Sequence, residues 1–251
     1  MSGHNKWSTI KRRKGAQDAK RSKVFTKIIK EITVAARTGG GDPNGNPRLR
    51  KAIDDAKAAN MPADNLDRAI KKGTGELEGV HYEELTYEGV GPDGVLFLMQ
   101  IMTDNRNRTA SEIRKIFGKH EGELGQSGSA AWAFEEKGVI KLPLASATEE
   151  QLFEAAVGAG AEDLEKAGET WVITTPRDDL DTVRTSIEQA GLPVDESELA
   201  FLAKTPKTVD GRVADQLVDL YEALEDHDDV QKVFADFELS EQAMAQLEQR
   251  A

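Results

Sequence analysis

Tyr82-Glu83-Glu84-Leu85-Thr86-Tyr87-Glu88-Gly89-Val90-Gly91-Pro92-Asp93-Gly94-Val95-Leu96-Phe97-Leu98-Met99-Gln100-Ile101-Met102 is the stretch on which the fold turns. Glu84 to Val90 and Val95 to Met102 have strand length and strand composition, and Gly91-Pro92-Asp93-Gly94 between them is turn chemistry. They predict a hairpin. Its second arm is the most apolar run of the chain, yet it is far short of the ~20 residues that span a bilayer. No membrane partner is expected.

On the N-terminal side of this hairpin the period is helical. Phe25, Ile28, Ile29, Ile32 and Ala36 fall at i, i+3, i+4, i+7 and i+11, one apolar stripe. Lys20, Lys23, Lys27 and Lys30 are interspersed and are expected to face largely outward. Gly39-Gly40-Gly41-Asp42-Pro43 ends the helix. A second helix should open at Pro47 and run to Ala59, and a third at Pro62, closed by Gly73-Thr74-Gly75. Three short helices make a small bundle with a thin core.

On the C-terminal side, Thr103 to Arg108 leads into a helix over Thr109–Lys119, and Gly122 to Gly128 is a glycine-rich loop before a strand over Ala130–Phe134. From Gly138 the order reads strand, helix, strand, strand, helix, strand through Ala203, the β-α-β-β-α-β pattern of ferredoxin-like units. Arg212–Leu224 gives one more amphipathic helix and Val230–Phe237 a last strand. Neither has a partner nearby in sequence, so both should return to the sheet begun at Tyr82. The expected architecture is α+β with three domains. A helical bundle over 1–76 precedes two ferredoxin-like α/β sandwiches. The middle one is discontinuous (80–136 plus 205–240) and the third, 137–204, is inserted within it.

Charge divides along the same lines. Residues 1–72 hold 18 Lys and Arg against 7 Asp and Glu, whereas the whole 251-residue chain carries a net charge of −12. The first 30 residues alone hold ten basic side chains and one acid. Such asymmetry speaks of partners more than of fold: a basic end suited to a polyanion, on an acidic body. The other reading is a merely solvated basic face. The start, Met1-Ser2-Gly3-His4-Asn5-Lys6-Trp7, has no apolar core of a secretory signal. Cysteine is absent, which removes thiolate chemistry and fits a reducing compartment, so a cytoplasmic protein is expected.

Motifs for catalysis are hard to find. No His pair has the i, i+4 spacing of a zinc-protease helix, no G-x-S-x-G elbow occurs, and Lys71-Lys72-Gly73-Thr74-Gly75 has the letters of a phosphate loop in the wrong order. Asp226-His227-Asp228-Asp229 looks metal-like but sits at a helix-to-strand junction, where Asp caps turns and His suits a helix C-terminus. No enzyme activity, cofactor, metal or small-molecule substrate is therefore expected.

The N-terminal arm is the better signal. Lys6-Trp7 places an aromatic face beside a cation, and Lys11-Arg12-Arg13-Lys14 follows closely, with Lys20, Arg21, Lys23, Lys27 and Lys30 beyond. Such cations bind phosphate by releasing counterions, and Trp7 either stacks on a base or packs back on the bundle. Arg106 and Arg108 precede a helix that Asn107 or Thr109 would cap; they either hold a phosphate at its N-terminus or fix the turn. The first two basic helices are separated by a long glycine-rich loop, so no helix-turn-helix is evident.

Several of these segments together resemble the YebC/PmpR family: Gly3-His4-Asn5-Lys6-Trp7, Ile10 to Lys14, Gln17 to Arg21, Asn60-Met61-Pro62, Ala69 to Gly73, Tyr87-Glu88-Gly89, Thr103 to Thr109, Leu124-Gly125 with Gly128-Ser129, and His227 to Gln231. The match runs in order to about Phe237; the tail from Ser240 looks peculiar to this chain. The resemblance implies a helical domain followed by two α+β domains, and a transcriptional regulator that binds DNA. As the alternative, it implies a relation to the mitochondrial translational activator of cytochrome oxidase and to bacterial factors, acting on ribosomal or transfer RNA, that relieve ribosomes stalled at proline-rich stretches. It supplies no catalytic residues.

Overall fold

The computed structural model describes residues 17–250, with side chains placed between residues 22 and 247. Three helices open it: α1 (Gln17–Gly39), α2 (Pro47–Ala58) and α3 (Ala63–Thr74). α2 and α3 each pack on α1 and barely touch one another. Ile32, Leu49, Ala56 and Ala69 form the centre of this bundle. Two local devices set its geometry. The buried side chain of Asn46 caps α2 by accepting from the Leu49 amide at 3.1 Å, and donates to the carbonyls of Ala35 and Gly40 at 2.8 and 2.9 Å. Gly73 lies where α3 crosses α1: a Cβ there would meet the Thr33 carbonyl at 2.5 Å. The helix accordingly runs past Gly73, and Gly75 at φ 83° takes the left-handed closing position.

The hairpin forms as read, β1 (Glu83–Val90) against β2 (Leu96–Thr103), from Glu83 opposite Thr103 to Val90 opposite Leu96. β2 is central and buried on both faces, which is why its sequence does not alternate. α4 (Arg106–Lys119), β3 (Glu123–Leu124), α7 (Gly211–Glu225) and β9 (Val230–Ala235) complete this layer, with strand order β3-β1-β2-β9 and every pairing antiparallel. The late helix and strand thus return across the insertion. On one face Phe97, Met99 and Ile101 meet Phe117 of α4 and Leu217, Leu220 and Leu224 of α7.

Between β3 and α7 the chain builds β4 (Phe134–Pro143), α5 (Glu149–Val157), β5 (Asp163–Ala167), β6 (Thr170–Pro176), α6 (Leu180–Gln189) and β7 (Glu196–Ala203). Their sheet order is β5-β6-β4-β7, wholly antiparallel, with both helices on one face over Ile140, Leu142, Trp171 and Ile173. This is the ferredoxin-like arrangement. The middle layer is also a two-layer α/β sandwich, but its succession starts with two directly joined strands, so it reaches that build by a different path. The other faces of the two sheets pack back to back, Leu96, Leu98 and Phe234 against Val139, Val172 and Ala200.

Several local expectations change. α4 begins at Arg106 rather than Thr109, because Asn105 is its N-cap and accepts from the Arg108 amide at 3.1 Å. The strand expected over Ala130–Phe134 is a short 3-10 turn, Ala131–Ala133, leading into β4. Beyond β9, β10 (Phe237–Leu239) pairs in parallel with β8 (Lys207–Val209), and the tail forms α8 (Glu241–Arg250), which buries Ala243 against the middle core. Among the described residues no helix is long and apolar enough to cross a membrane.

Candidate nucleic-acid interface

Lys23, Lys27 and Lys30 are spaced to share one face of α1. That face does not look outward. It lies on the turn that ends α7, where carbonyls left over by the helix and three aspartates converge. Lys23 pairs with Asp226 at 3.1 Å, and Lys27 donates to the Glu225 carbonyl at 2.7 Å. Lys30, only 6% exposed, donates to the Asp228 carbonyl at 2.9 Å and to Asp229 Oδ1 at 2.5 Å. The expectation that these lysines face outward is therefore corrected for Lys30 and Lys27. Folding gives the bundle's cations an intramolecular use that the charge pattern alone did not reveal.

Asp229, 4% exposed, is the centre of this contact. Its Oδ2 accepts from Arg108 Nη2 at 2.8 Å, from Thr109 Oγ1 at 2.7 Å and from Thr103 Oγ1 at 3.2 Å. Burial pushes the carboxyl up, but the hydrogen bonds from Lys30, Thr109 and Arg108 outweigh it and hold the group well below the usual carboxylate range. Arg108 is correspondingly held above its ordinary value by Asp229 and Asp104. It sits in the first turn of α4 and is engaged with these acids, so it fixes the junction. Arg106 is exposed and rests 3.6 Å from Glu83.

A second tie closes the same boundary. Arg48 of α2 grips Glu31 and Glu84 together, each through two nitrogens, at 2.6 to 3.2 Å. Those two hydrogen-bonded acids raise its pKa above the ordinary arginine value. Arg37 Nη2 donates to the Tyr82 carbonyl at 2.6 Å. Beside these contacts is an open cleft of about 690 Å³, walled by Lys23, Tyr82, Arg108, Lys115 and Asp228 among others. Its lining mixes both signs, so it offers no concentrated field for an anion.

Glu112, His227 and Asp229 each bring one oxygen or nitrogen within 4.8 Å of the others. They do not fit a metal. His227 Nδ1 accepts the Asp229 amide at 3.1 Å and Nε2 meets Glu112 at 3.0 Å, while Asp229 is already saturated by two cations that a metal ion would have to face.

Of the remaining residues singled out in the sequence, Lys6, Trp7, Lys11, Arg12, Arg13 and Lys14 lie outside the described residues. Lys20 and Arg21 fall in α1, with side chains outside those described. One group was missed: Arg68, Lys71 and Lys72 of α3 are all exposed and form no ion pair among the described residues. Their i, i+3, i+4 spacing was the available signal.

Comparison with known proteins matches both parts of the chain. Residues 5–76 match the family model described as the TACO1/YebC protein N-terminal domain, and residues 82–237 the model of the TACO1/YebC second and third domain. A protein of Geobacter sulfurreducens named a probable transcriptional regulatory protein is 55% identical over 248 residues, covering 98% of this chain and 100% of that one. A protein of Desulfosudis oleivorans with the same name is 54% identical over 241 residues, covering 96% and 98%. The crystal structure of a conserved hypothetical protein from Aquifex aeolicus is similar at a TM-score of 0.83 and 46% identity, covering 90% of this chain and 93% of that one.

Proposed function

The chain belongs to the TACO1/YebC family, and on that premise we propose that it is a non-enzymatic regulator of gene expression, acting in the cytoplasm by binding nucleic acid through its basic N-terminal end. The observation that carries this reading is the excess of basic residues at that end, 18 Lys and Arg against 7 Asp and Glu in residues 1–72. Lys23, Lys27, Lys30, Arg37 and Arg48 are engaged with the body, whereas the arm's Lys6, Lys11, Arg12, Arg13 and Lys14 precede α1, and Arg68, Lys71 and Lys72 stand exposed. Phosphate contacts of this kind position a polyanion without reading bases.

We take DNA as the first reading of the target, since the relatives are named as transcriptional regulatory proteins. A second reading, ribosomal or transfer RNA on the ribosome, is favoured by one feature of the bundle: α2 and α3 each pack mainly on α1, so among the described residues no helix-turn-helix pair is formed to enter a major groove. Density-gradient profiling of cell lysate separates them. Co-sedimentation with ribosomes, lost when Lys11, Arg12, Arg13 and Lys14 become Ala, supports the RNA reading. Discrete promoter footprints that survive ~0.2 M salt support the DNA reading, since nonspecific phosphate binding fades steeply there. Neither outcome, in a chain that stays folded, defeats both.

A further inference from the structure

Trp132 is 67% exposed, the most exposed large hydrophobic side chain among the described residues. An isolated apolar residue on a surface ordinarily needs no explanation. Here the backbone beneath it is held by an unusual device. Glu88 of β1, 5% exposed, accepts from the amides of Gly128, Ala130 and Ala131 at 2.7, 2.6 and 2.8 Å. Burial alone would raise this carboxyl, yet the three amides hold it below its ordinary value, so it is a charged anchor. The Glu88 carbonyl takes the Gly125 amide as well, at 2.8 Å, and a Cβ at Gly125 would meet Ser129 Oγ at 2.3 Å. These contacts tie the loop to β1 at four amides.

Two further contacts define what that loop presents. The indole Nε1 donates to the Ser129 carbonyl at 3.0 Å, so the polar edge of Trp132 is taken up by its own loop. Lys204, from the strand end leaving the inserted domain, donates its amide to Ala133 and its ammonium to the Trp132 carbonyl at 2.9 and 2.8 Å. An aromatic face and a cation held by a carbonyl rather than a carboxylate therefore stand together on a frame fixed from both linkers. We propose that Trp132 is a stacking platform for an unpaired nucleobase, with Lys204 meeting the adjoining phosphate, a second contact beyond the basic arm; it rests on the nucleic-acid reading above. The hydrogen bonds of the loop backbone and of the indole N–H lower the ordering cost of such a stack. An apolar protein pocket would also accept the ring, but the neighbouring ammonium favours a phosphodiester.

The test uses the full chain with a fluorescein-labelled single-stranded RNA of about 20 nucleotides and a blunt duplex of the same sequence, titrated at several salt concentrations. Trp132→Ala should weaken single-strand binding about tenfold, as loss of one base stack does, and leave duplex binding and the salt slope unchanged. Trp132→Phe should recover most of the loss, and circular dichroism should give both variants the melting profile of the intact chain. Lys11→Ala/Arg12→Ala/Arg13→Ala/Lys14→Ala should instead weaken both probes and flatten the slope. Undiminished single-strand binding by Trp132→Ala, as a protein partner would produce, overturns the platform while the arm variant still vouches for nucleic-acid binding. Equal losses on both probes overturn it too. Failure of the intact chain to bind either RNA probe removes the platform together with the RNA reading of the target.

Discussion

Replacing Asp229 by Asn keeps the shape of the side chain and removes the charge on which the domain contact turns. The carboxylate collects donors from Lys30, Arg108, Thr109 and Thr103, all four within 3.2 Å. An amide at that position accepts through one atom only, and its NH2 must face donors. Lys30 is left as a buried cation with two carbonyls and the Tyr82 ring but no countercharge. Breaking a buried pair in this way costs about 3–5 kcal/mol, because the stranded charge keeps its desolvation penalty. For a chain of this size that corresponds to a fall of about 10 °C in the melting temperature. Circular dichroism melts and urea unfolding measure it directly. Lys30→Met leaves Asp229 with Arg108 and two hydroxyls, so it should cost less, about 2 kcal/mol. The double variant, no longer burying an unpaired ammonium, should be more stable than the sum of the two losses by at least about 1 kcal/mol. A loss below about 1 kcal/mol in Asp229→Asn, or strict additivity in the double variant, would refute the claim that this carboxylate holds bundle and body together.

The pH dependence follows from the same group. Its folded pKa is depressed, so its contribution is complete above the unfolded value near pH 4 and disappears as pH falls towards the folded one. The stability gap between the intact chain and Asp229→Asn should stay constant from about pH 7 to 5 and narrow below about pH 4; a gap that widens on acidification contradicts the sign. Asn46→Ala removes the cap of α2 and two bonds to buried carbonyls, and should destabilise by about 2 kcal/mol in urea unfolding, with no change in the inserted domain's amide exchange. Gly73→Ala gains up to about 1 kcal/mol of helix propensity but forces a methyl against the Thr33 carbonyl, so calorimetry should show net destabilisation.

How much of this was legible in the sequence depends on how local each signal is. The hairpin could be read because Gly91 to Gly94 interrupts two strand-like runs, and the inserted unit because its periods alternate in a familiar order. The return of α7 and β9 could be argued from their lack of neighbours. By contrast β8 and β10 are three residues each and pair across α7 and β9, below any periodic signal. Asp229 read as a turn residue because Lys30 and Arg108 lie 199 and 121 positions away along the chain. The lysines of α1 looked like a free cationic face for the same reason: the acids that meet them belong to another domain. Trp132 was passed over because neither its exposure nor the Glu88 anchor leaves a mark in the local pattern.

The division of labour among the basic residues can be measured in one titration series. Binding of a nucleic-acid duplex by the intact chain is followed between about 50 and 200 mM salt, beside two variants: one with Lys6, Lys11, Arg12, Arg13 and Lys14 changed to Ala, the other with Lys27 changed to Ala. The first should lose affinity steeply and show a slope of log K against log salt shallower by several units, at roughly 0.9 per phosphate contact given up on B-DNA. The second should keep the slope of the intact chain, because that lysine already holds the Glu225 carbonyl. An unchanged slope in the arm variant, or a loss of slope in Lys27→Ala, would contradict the account.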